Sequence, residues 1–174
     1  MPTQRTEVLV PAAKVSLPGT ATIPEGATGI VAFAHGSGSS RHSPRNQYVA
    51  SVLHQHRIAT LLFDLLTPRE DQNYETRFDI DLLTERLLAA LAWLEENAET
   101  KDMRLGCFGA STGAAAALQA AAQHPGVAAV VSRGGRPDLA GPQALTSVRA
   151  PTLFIVGGWD DGVIDLNRQA YALL

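Results

Sequence analysis

The sequence predicts an α/β fold, a three-layer α/β/α sandwich built around a mostly parallel sheet. The first observation is a set of five apolar runs of strand length, most of them apolar on both faces: GIVAFAH (29–35), IATLLFD (58–64), MRLGCFG (103–109), VAAVVS (127–132) and PTLFIVGG (151–158). The second is that helical patterns separate several of these runs. Strands buried on both faces and connected by helices are typical of a parallel sheet covered on each side.

The clearest predicted helix lies between the second and third runs. Its apolar residues recur three or four positions apart and form one stripe: Ile80, Leu83, Leu87, Leu91 and Leu94. A second, alanine-rich helix is predicted from Thr112 to Gln123. It should stop before Pro125, because the residue that precedes a proline disfavours the helical conformation.

Three shorter runs come before these elements: EVLV (7–10), KVSL (14–17) and TATI (20–23). Proline and glycine punctuate them, which favours short antiparallel strands at an edge of the sheet. The chain has 174 residues and shows no repeat, linker or low-complexity segment. That length suits a single domain, so we expect residues 1–174 to form one unit.

Composition excludes several classes of partner. The formal net charge is −3 and no basic cluster is present, which argues against nucleic acid. No stretch approaches about 18 continuous apolar residues, and the N-terminus has no export signal, so we expect a cytoplasmic protein without a membrane partner. Cys107 is the single cysteine and has no partner for an internal disulfide.

Residues 109–113 have the pattern G-x-S-x-G, with Ser111 at its centre. In this pattern a strand ends, turns sharply and opens a helix, so that the serine stands above the sheet in a strained conformation. Ser111 lies between an apolar strand and the predicted alanine-rich helix, which makes it a candidate nucleophile. The N–H of Thr112 would lie at the helix N-terminus, where it can donate to a developing oxyanion.

A second small, glycine-rich segment, AHGSGSS (34–40), follows an earlier apolar strand. A loop at that position can supply the other oxyanion donor, and we assign this role to the N–H of Ser37. The alternative is a plain connection between a strand and a helix. His35 is interpreted as a structural residue that fixes the loop, not as a catalytic base.

The third candidate segment is VGGWDDGVI (156–164), which follows the last apolar strand. Parallel sheets place their chemistry beyond the carboxyl ends of the strands, and carboxylates lie there. We choose Asp160 to orient a catalytic histidine, with Asp161 as a close alternative. Both carboxylates could instead simply cap a helix.

These segments, together with VSRGGRPDLAG (131–141), resemble the dienelactone hydrolase-like branch of the α/β-hydrolases in their order and spacing. The resemblance covers nearly the whole chain. It implies the α/β-hydrolase fold, with the nucleophile after the fifth strand, the acid after the seventh and the histidine after the eighth. Ser111 and Asp160 match the first two positions. The enzymes that give the family its name have cysteine at the nucleophile, so serine here points to general esterase chemistry.

No residue matches the family's histidine. The five histidines all lie upstream of Asp160, and each has a structural explanation: His35, His42, His54, His56 and His124. His42 is the one we consider as a base, because the chain order of triad members varies between folds. His54 and His56 could suggest a metal pair, but no third ligand is near, and we expect neither a metal nor a cofactor.

The last residues, DLNRQAYALL (165–174), are predicted to form a helix and carry no helix stop signal. The resemblance implies one more strand, the histidine loop and a final helix. We therefore expect the domain to be C-terminally incomplete and weak or inactive as a catalyst. The oligomeric state is left open. The strand near 153–156 would become an exposed apolar edge, which predicts poor solubility or association.

In the complete enzyme, the resemblance implies a small-molecule ester or lactone as substrate and an acyl-enzyme at Ser111. Arg133 and Arg136 would lie at the edge of the sheet formed by the carboxyl ends of the strands, where a guanidinium can bind a substrate carboxylate. Their alternative role is bracing the loop. Asp138, in the same loop, is a further alternative for the triad acid.

Three other functions remain open at this point. A non-catalytic binding protein would keep the hydrolase fold without its base. An acyltransferase would use the same residues. A Rossmann-type nucleotide-binding domain would use Gly36 and Gly38 after a strand, with Asp64 as the ribose-binding acid, although Arg41 stands at the third glycine position.

Overall fold

A seven-stranded mixed sheet forms the centre of the computed structural model, which describes residues 3–174. In chain order the strands are β1 (Thr3–Ala12), β2 (Val15–Pro24), β3 (Gly29–Ala34), β4 (Ala59–Phe63), β5 (Arg104–Ala110), β6 (Val127–Arg133) and β7 (Thr152–Ile155). Their order in the sheet is β1-β2-β4-β3-β5-β6-β7. β1 with β2 and β2 with β4 are antiparallel, and every other pairing is parallel.

Helices cover both faces of the sheet. They are α1 (Pro44–Gln55), α2 (Pro68–Asp71), α3 (Ile80–Glu96), α4 (Thr112–Gln123), α5 (Pro142–Ser147) and α6 (Asp161–Tyr171), with 3₁₀ turns at Thr76–Phe78 and Pro137–Ala140. α3 and α4 pack together on one face, whereas α1 packs on β2 and β4 from the other. The predicted three-layer α/β fold is confirmed.

The predicted elements agree closely with the observed ones. The five apolar runs are β3 to β7, and α4 has the predicted bounds, Thr112–Gln123. The stripe from Ile80 to Leu94 is the buried face of α3, whose N-terminus is capped by Asp79 accepting from the Leu82 N–H. Among the five apolar runs the largest difference is at β7, which ends at Ile155 instead of residue 158.

The N-terminal prediction is wrong in one respect. KVSL and TATI do not form two strands but belong to the single strand β2, which pairs with β1 along its whole length. Pro18 lies inside β2 and still accepts a hydrogen bond from the Asp64 N–H through its carbonyl. A β-carbon at Gly19 would lie 2.9 Å from Phe63 Cβ, so glycine lets β2 and β4 approach here instead of ending the strand.

Each face of the sheet has its own core. The larger core lies under α3 and α4 and includes Leu87, Leu91 and Leu118, all fully buried. The smaller core lies under α1, where Phe33 and Phe108 stack with ring centroids 4.8 Å apart. Both phenylalanines come from the strands that lead into the candidate site, so this stack fixes β3 against β5 immediately below it.

β7 lies at one end of the sheet and has no buried residue. In the described part of the chain it pairs with β6 alone. Leu153 and Ile155 pair with Val131 and Arg133 of β6, and their side chains are 56% and 47% exposed. The expected exposed apolar edge is therefore present, while its consequence for association remains a prediction.

The sheet order also decides against the dinucleotide-binding alternative. An antiparallel ribbon, β1 and β2, extends the sheet beyond β4. Asp64, the expected ribose ligand, is occupied by Arg41, which binds it through its backbone N–H at 2.8 Å and its guanidinium at 3.3 Å. These two observations argue against that alternative.

None of the helices within residues 3–174 is long and apolar enough to cross a membrane.

Candidate active site

Ser111 lies at the turn between β5 and α4 and has a strained backbone. Its φ is +52° and its ψ is −122°, a conformation that L-residues rarely adopt. The residue is exposed, although its neighbours on both sides are buried. Its N–H donates to the Arg133 carbonyl at 3.4 Å, and its own carbonyl accepts from the N–H groups of Ala114 and Arg136, each at 3.1 Å. The backbone is thus fixed from three sides, and the side chain points away from the core.

Glycines make this turn possible. A β-carbon at Gly109 would overlap the backbone of Ala114, and one at Gly113 would overlap the carbonyl of Ala34. At Gly36 a β-carbon would lie 3.0 Å from Ser111 Cβ. From the sequence, Gly36 was considered only for the nucleotide-binding alternative, although the glycine-rich loop containing it was assigned to the candidate site. It lets the loop after β3 pass directly beside the serine.

The structure brings Ser37 and Thr112 together. The Ser37 N–H donates to Thr112 Oγ1 at 3.0 Å, across 75 positions of the sequence. Thr112 is the first residue of α4 and is buried, and its own N–H makes no hydrogen bond to any residue between 3 and 174. The two predicted oxyanion donors therefore lie next to Ser111, but one of them is engaged by the hydroxyl of the other.

Only a very small cavity lies behind this loop. Its volume is about 10 Å³, and its lining includes Ser37, Thr112, Asp71 and Arg77. The last two form an ion pair at 3.0 Å that closes the rear of the loop. Such a cavity holds about one water molecule. Ser111 itself does not line this cavity.

His35 supports the loop as a neutral ring. Its Nε2 accepts a hydrogen bond from the Leu65 N–H at 3.0 Å, so Nδ1 carries the proton and donates to the Gly36 carbonyl at 2.9 Å. Burial lowers the pKa of His35, and the hydrogen bond to Gly36 opposes that shift only in part. The structural role expected for His35 matches these contacts.

No histidine in the described chain hydrogen-bonds Ser111. His42 and His56 are exposed, His54 contacts Thr60 Oγ1 at 2.8 Å, and His124 contacts Glu95 at 3.1 Å. His42, the one considered as a base, donates through its backbone N–H to Ser40 Oγ at 3.1 Å, and its ring makes no hydrogen bond within the described residues. Residues 3–174 also contain no group of three metal-ligating side chains.

Asp160 caps α6. Its carboxylate accepts from the Val163 N–H at 3.4 Å, and the side chain is exposed. Asp161 is the first residue of the same helix and is exposed as well. The capping role is therefore observed, and it leaves one oxygen of Asp160 open to another donor. Asn167, which the sequence did not reveal, anchors α6 by donating to the Gly135 carbonyl at 3.1 Å.

Arg136 and Asp138 bind each other. The guanidinium donates through Nε and one terminal nitrogen to the two carboxylate oxygens, at 2.9 and 2.7 Å. This hydrogen bonding raises the pKa of Arg136. Asp138, the further alternative for the triad acid, is thus occupied, and so is the fork that Arg136 would offer to a substrate.

Arg133 makes different contacts. It donates to Asn46 Oδ1 of α1 at 2.9 Å and lies 5.7 Å from the centre of the Phe108 ring. Burial lowers its pKa, and the nearby charge of Arg45 adds to the shift. Within the described residues it has no acidic partner. No sequence pattern pointed to Asn46, which lies 87 positions from Arg133 and is 2% exposed.

Comparison with known proteins identifies the family to which this chain belongs. The model of the dienelactone hydrolase family matches residues 50–171. A protein of Mycobacterium tuberculosis with the provisional name phosphoribosyl transferase is 56% identical over 174 residues. That match covers 99% of this chain but only 39% of the relative. The chain thus spans well under half the length of the curated relative.

Solved structures agree with the family assignment. The crystal structure of a dienelactone hydrolase from Anabaena variabilis is 56% identical, with a TM-score of 0.96 over 99% of this chain and 82% of that one. An esterase from Pyrococcus furiosus shares the fold at 18% identity, with a TM-score of 0.77 over 98% of this chain and 76% of that one. The family match, the high identity and the shared fold lead to one conclusion: the chain belongs to the dienelactone hydrolase family.

Proposed function

We propose that the chain carries the nucleophile of a serine hydrolase that acts on carboxylic esters or lactones, with Ser111 as the attacking residue. The strained backbone of Ser111 is the observation that carries the proposal. Three glycines are needed for the turn, yet the side chain that the turn presents contributes nothing to the core. Strain without a packing role is typical of a site held ready for chemistry.

The reaction would proceed by acyl transfer. Ser111 Oγ attacks the carbonyl carbon, its proton passes to a base, and the carbonyl oxygen becomes an oxyanion. The N–H of Thr112 can donate a hydrogen bond to that oxyanion. The N–H of Ser37 can donate a second one after its hydrogen bond to the Thr112 hydroxyl is broken. The ester C–O bond then breaks, the alcohol departs with a proton, and water hydrolyses the acyl-enzyme.

Asp160 is our proposal for the residue that orients the base, through the oxygen that the helix cap leaves open. Asp161 is the alternative. Asp138 is a weaker candidate than either, because it would have to leave Arg136 first.

No residue of the described chain is assigned as the catalytic base in this proposal. Because none of the five histidines hydrogen-bonds Ser111, we expect residues 1–174 to acylate slowly. In a triad enzyme without its base, the oxyanion donors and binding still provide roughly 10³- to 10⁴-fold over water. A small base added to the solution should therefore raise the rate, provided that Ser111 is open to it.

Imidazole rescue tests this directly. The chain is incubated with a fluorophosphonate probe and, separately, with p-nitrophenyl acetate, over a series of imidazole concentrations. We expect labelling of Ser111, found by peptide mass spectrometry, and a rate that increases with imidazole beyond that of the protein-free reaction. Ser111→Ala should abolish both. Ser147→Ala, at an exposed serine of α5, is the matched control and should retain them.

The opposite result would favour the non-catalytic alternative. If Ser111→Ala and the unchanged chain show the same imidazole dependence, Ser111 is not a nucleophile.

An acyltransferase would use the same residues as a hydrolase but would pass the acyl group to an acceptor other than water. Added alcohols therefore distinguish acyl transfer from hydrolysis. Formation of a new ester in preference to the acid would identify a transferase.

The substrate class is a separate part of the proposal. Arg133 lies at the edge of the sheet formed by the carboxyl ends of the strands, its carbonyl is bonded to the Ser111 N–H, and its charge has no described acidic partner. It is therefore the residue we propose for binding a substrate carboxylate. Arg136 fits that role less well, because Asp138 already occupies its fork.

A further inference from the structure

A second cavity lies away from Ser111, between α1 and the antiparallel part of the sheet. Its volume is about 220 Å³. The floor is formed by β1, β2 and β4, and the roof by one face of α1. The residues that matter for its chemistry are Arg5, Thr22, Arg41, Gln47, His54 and Thr60.

Strand register sets the floor. Thr22 of β2 pairs with Arg5 of β1 on one side and with Thr60 of β4 on the other. Side chains of directly paired residues project to the same face of a sheet. These three side chains therefore form one polar row across three strands, on the face that α1 covers. Thr60 is fully buried and Thr22 is 9% exposed.

The helix completes the cavity from above. Gln47 and His54 of α1 are seven positions apart, which places them on the same face of the helix. His54 Nε2 lies 2.8 Å from Thr60 Oγ1 and so ties the helix to the polar row. The charge of Arg5 is close enough to add to the effect of burial, and both lower the pKa of His54.

The cavity is rich in hydrogen-bond donors. Arg41 pairs with Asp64 at 3.3 Å and Glu7 at 3.6 Å, yet its buried Nε–H has no acceptor in the described residues. Arg5 forms no ion pair within residues 3–174. Glu7 and Asp64 do not line the cavity themselves, but both carboxylates pair with Arg41 at its margin, and Glu7 also accepts from Thr20 Oγ1 at 2.8 Å. Of the two arginines in the lining, Arg5 is therefore the one without an acidic partner in the described residues.

We propose that this cavity is a second binding site, for a small molecule bearing a phosphate or carboxylate group. The anionic group would lie beside Arg5 and accept from the hydroxyl of Thr22, and Arg41 in the lining would add a second positive charge. Guanidinium groups are the side chains best suited to such oxyanions. Ala50 and Leu62 leave an apolar patch for the rest of the ligand. The site is independent of the proposed reaction at Ser111.

His54 is a natural reporter for occupancy. An anion beside Arg5 offsets the positive charge that opposes protonation of the imidazole, so the pKa of His54 should rise when the site fills. The other charged groups near this region are Glu7 on β1, and Arg41 and Asp64 in the adjoining loops, whose ion pairs exist without a ligand. Glu25 and Arg57 share a separate cavity with His54 and are charged with or without an anion beside Arg5. All five groups supply the background and not the change in the pKa of His54.

The experiment is an NMR titration of the full chain, following the ring protons of His54. Inorganic phosphate and acetate are added in separate series at constant ionic strength, with chloride as the reference, because general screening acts on any exposed charge. We expect a saturable shift of the His54 signals and a higher pKa. The series that saturates at the lower concentration identifies the preferred group.

Two variants test the assignment. Arg5→Gln should weaken anion binding about tenfold, since it removes one charge-assisted contact. Thr22→Val keeps the side-chain shape and should weaken it less. Arg69→Gln, at an exposed arginine of α2, makes the same change in net charge outside the cavity and should leave binding unchanged.

Equal responses of Arg5→Gln and Arg69→Gln would overturn the proposal, as would a His54 shift that chloride reproduces. Labelling of Ser111 serves as the separating measurement. It should be the same in Arg5→Gln and the unchanged chain, so failure at this cavity and failure at Ser111 can be told apart.

Discussion

The Ser37 N–H donates to Thr112 Oγ1 at 3.0 Å, so the loop after β3 is tied to the first turn of α4. The two residues belong to the two segments that flank Ser111. Their bond holds both segments at a fixed distance before any ligand arrives. It also means that a substrate oxygen would have to replace the Thr112 hydroxyl as the acceptor for the Ser37 N–H.

Thr112→Val tests this bond. Valine keeps the shape of threonine but leaves the Ser37 N–H, which is partly buried, without its acceptor. The free energy of unfolding should fall by about 1–3 kcal/mol, measured by urea denaturation. Thr112→Ser retains a hydroxyl and should recover most of that loss. A valine variant as stable as the unchanged chain would show that the loop is held by other contacts.

Glycine at position 113 should be irreplaceable. Gly113→Ala places a β-carbon against the carbonyl of Ala34, which cannot move without displacing β3. We expect a loss of about 3 kcal/mol or more in the free energy of unfolding. Gly157→Ala is the matched control, because no atom lies within 4 Å of a β-carbon there. Denaturant midpoints compare the two, and equal midpoints would contradict the observed packing.

Arg133 should distinguish charged from neutral substrates. With imidazole present, Arg133→Gln should raise KM for an ester that bears a carboxylate about tenfold, because one charge-assisted contact is lost. KM for a neutral ester of the same size should change little. Arg136→Gln is the comparison, and its effect should be small because Asp138 already binds that guanidinium. Equal changes for both esters would assign Arg133 a structural role only.

Much of the fold could be predicted because its signals are local. The runs of β3 to β7 are apolar on both faces, and the stripe from Ile80 to Leu94 repeats at the helical period. The turn at Ser111 needs small residues two positions before and after the serine, and the pattern G-x-S-x-G shows them directly. Each of these features depends on neighbouring residues, so the sequence displays it directly.

The contacts that define the site could not be predicted in the same way. Ser37 meets Thr112 across 75 positions, and Arg133 meets Asn46 across 87. Such pairs depend on how β3, β5 and β6 lie side by side, which no local pattern encodes. Pairing between strands also explains the error at KVSL and TATI: β2 pairs with β1 along its whole length, so the strand continues past Pro18.

His35 should make stability depend on pH. Its folded pKa is below the usual value of 6.5, because burial disfavours the charged ring. The unfolded chain then binds the proton more readily than the folded one, so stability is fully present above about pH 6.5 and is lost as the pH falls below it. Denaturant unfolding at a series of pH values measures this loss.

Two variants isolate the contribution of His35 from that of other titrating groups. His35→Asn keeps a polar side chain but cannot take up a proton, so the decline below pH 6.5 should become shallower. His42→Asn, at an exposed histidine, should leave the decline unchanged. An unchanged slope in His35→Asn would mean that other groups cause the acid sensitivity.

β7 should make residues 1–174 associate. The strand has an unpaired edge within the described chain, and Leu153 and Ile155 expose apolar surface next to it. Such an edge is a template for pairing with another strand, and charged side chains, lysine above all, discourage that pairing. Ile155→Lys should therefore shift the population toward monomer in sedimentation velocity at several protein concentrations. Tyr48→Lys introduces the same charge on α1, at a residue that is 70% exposed, and should not. If the two variants behave alike, net charge and not the β7 edge controls association.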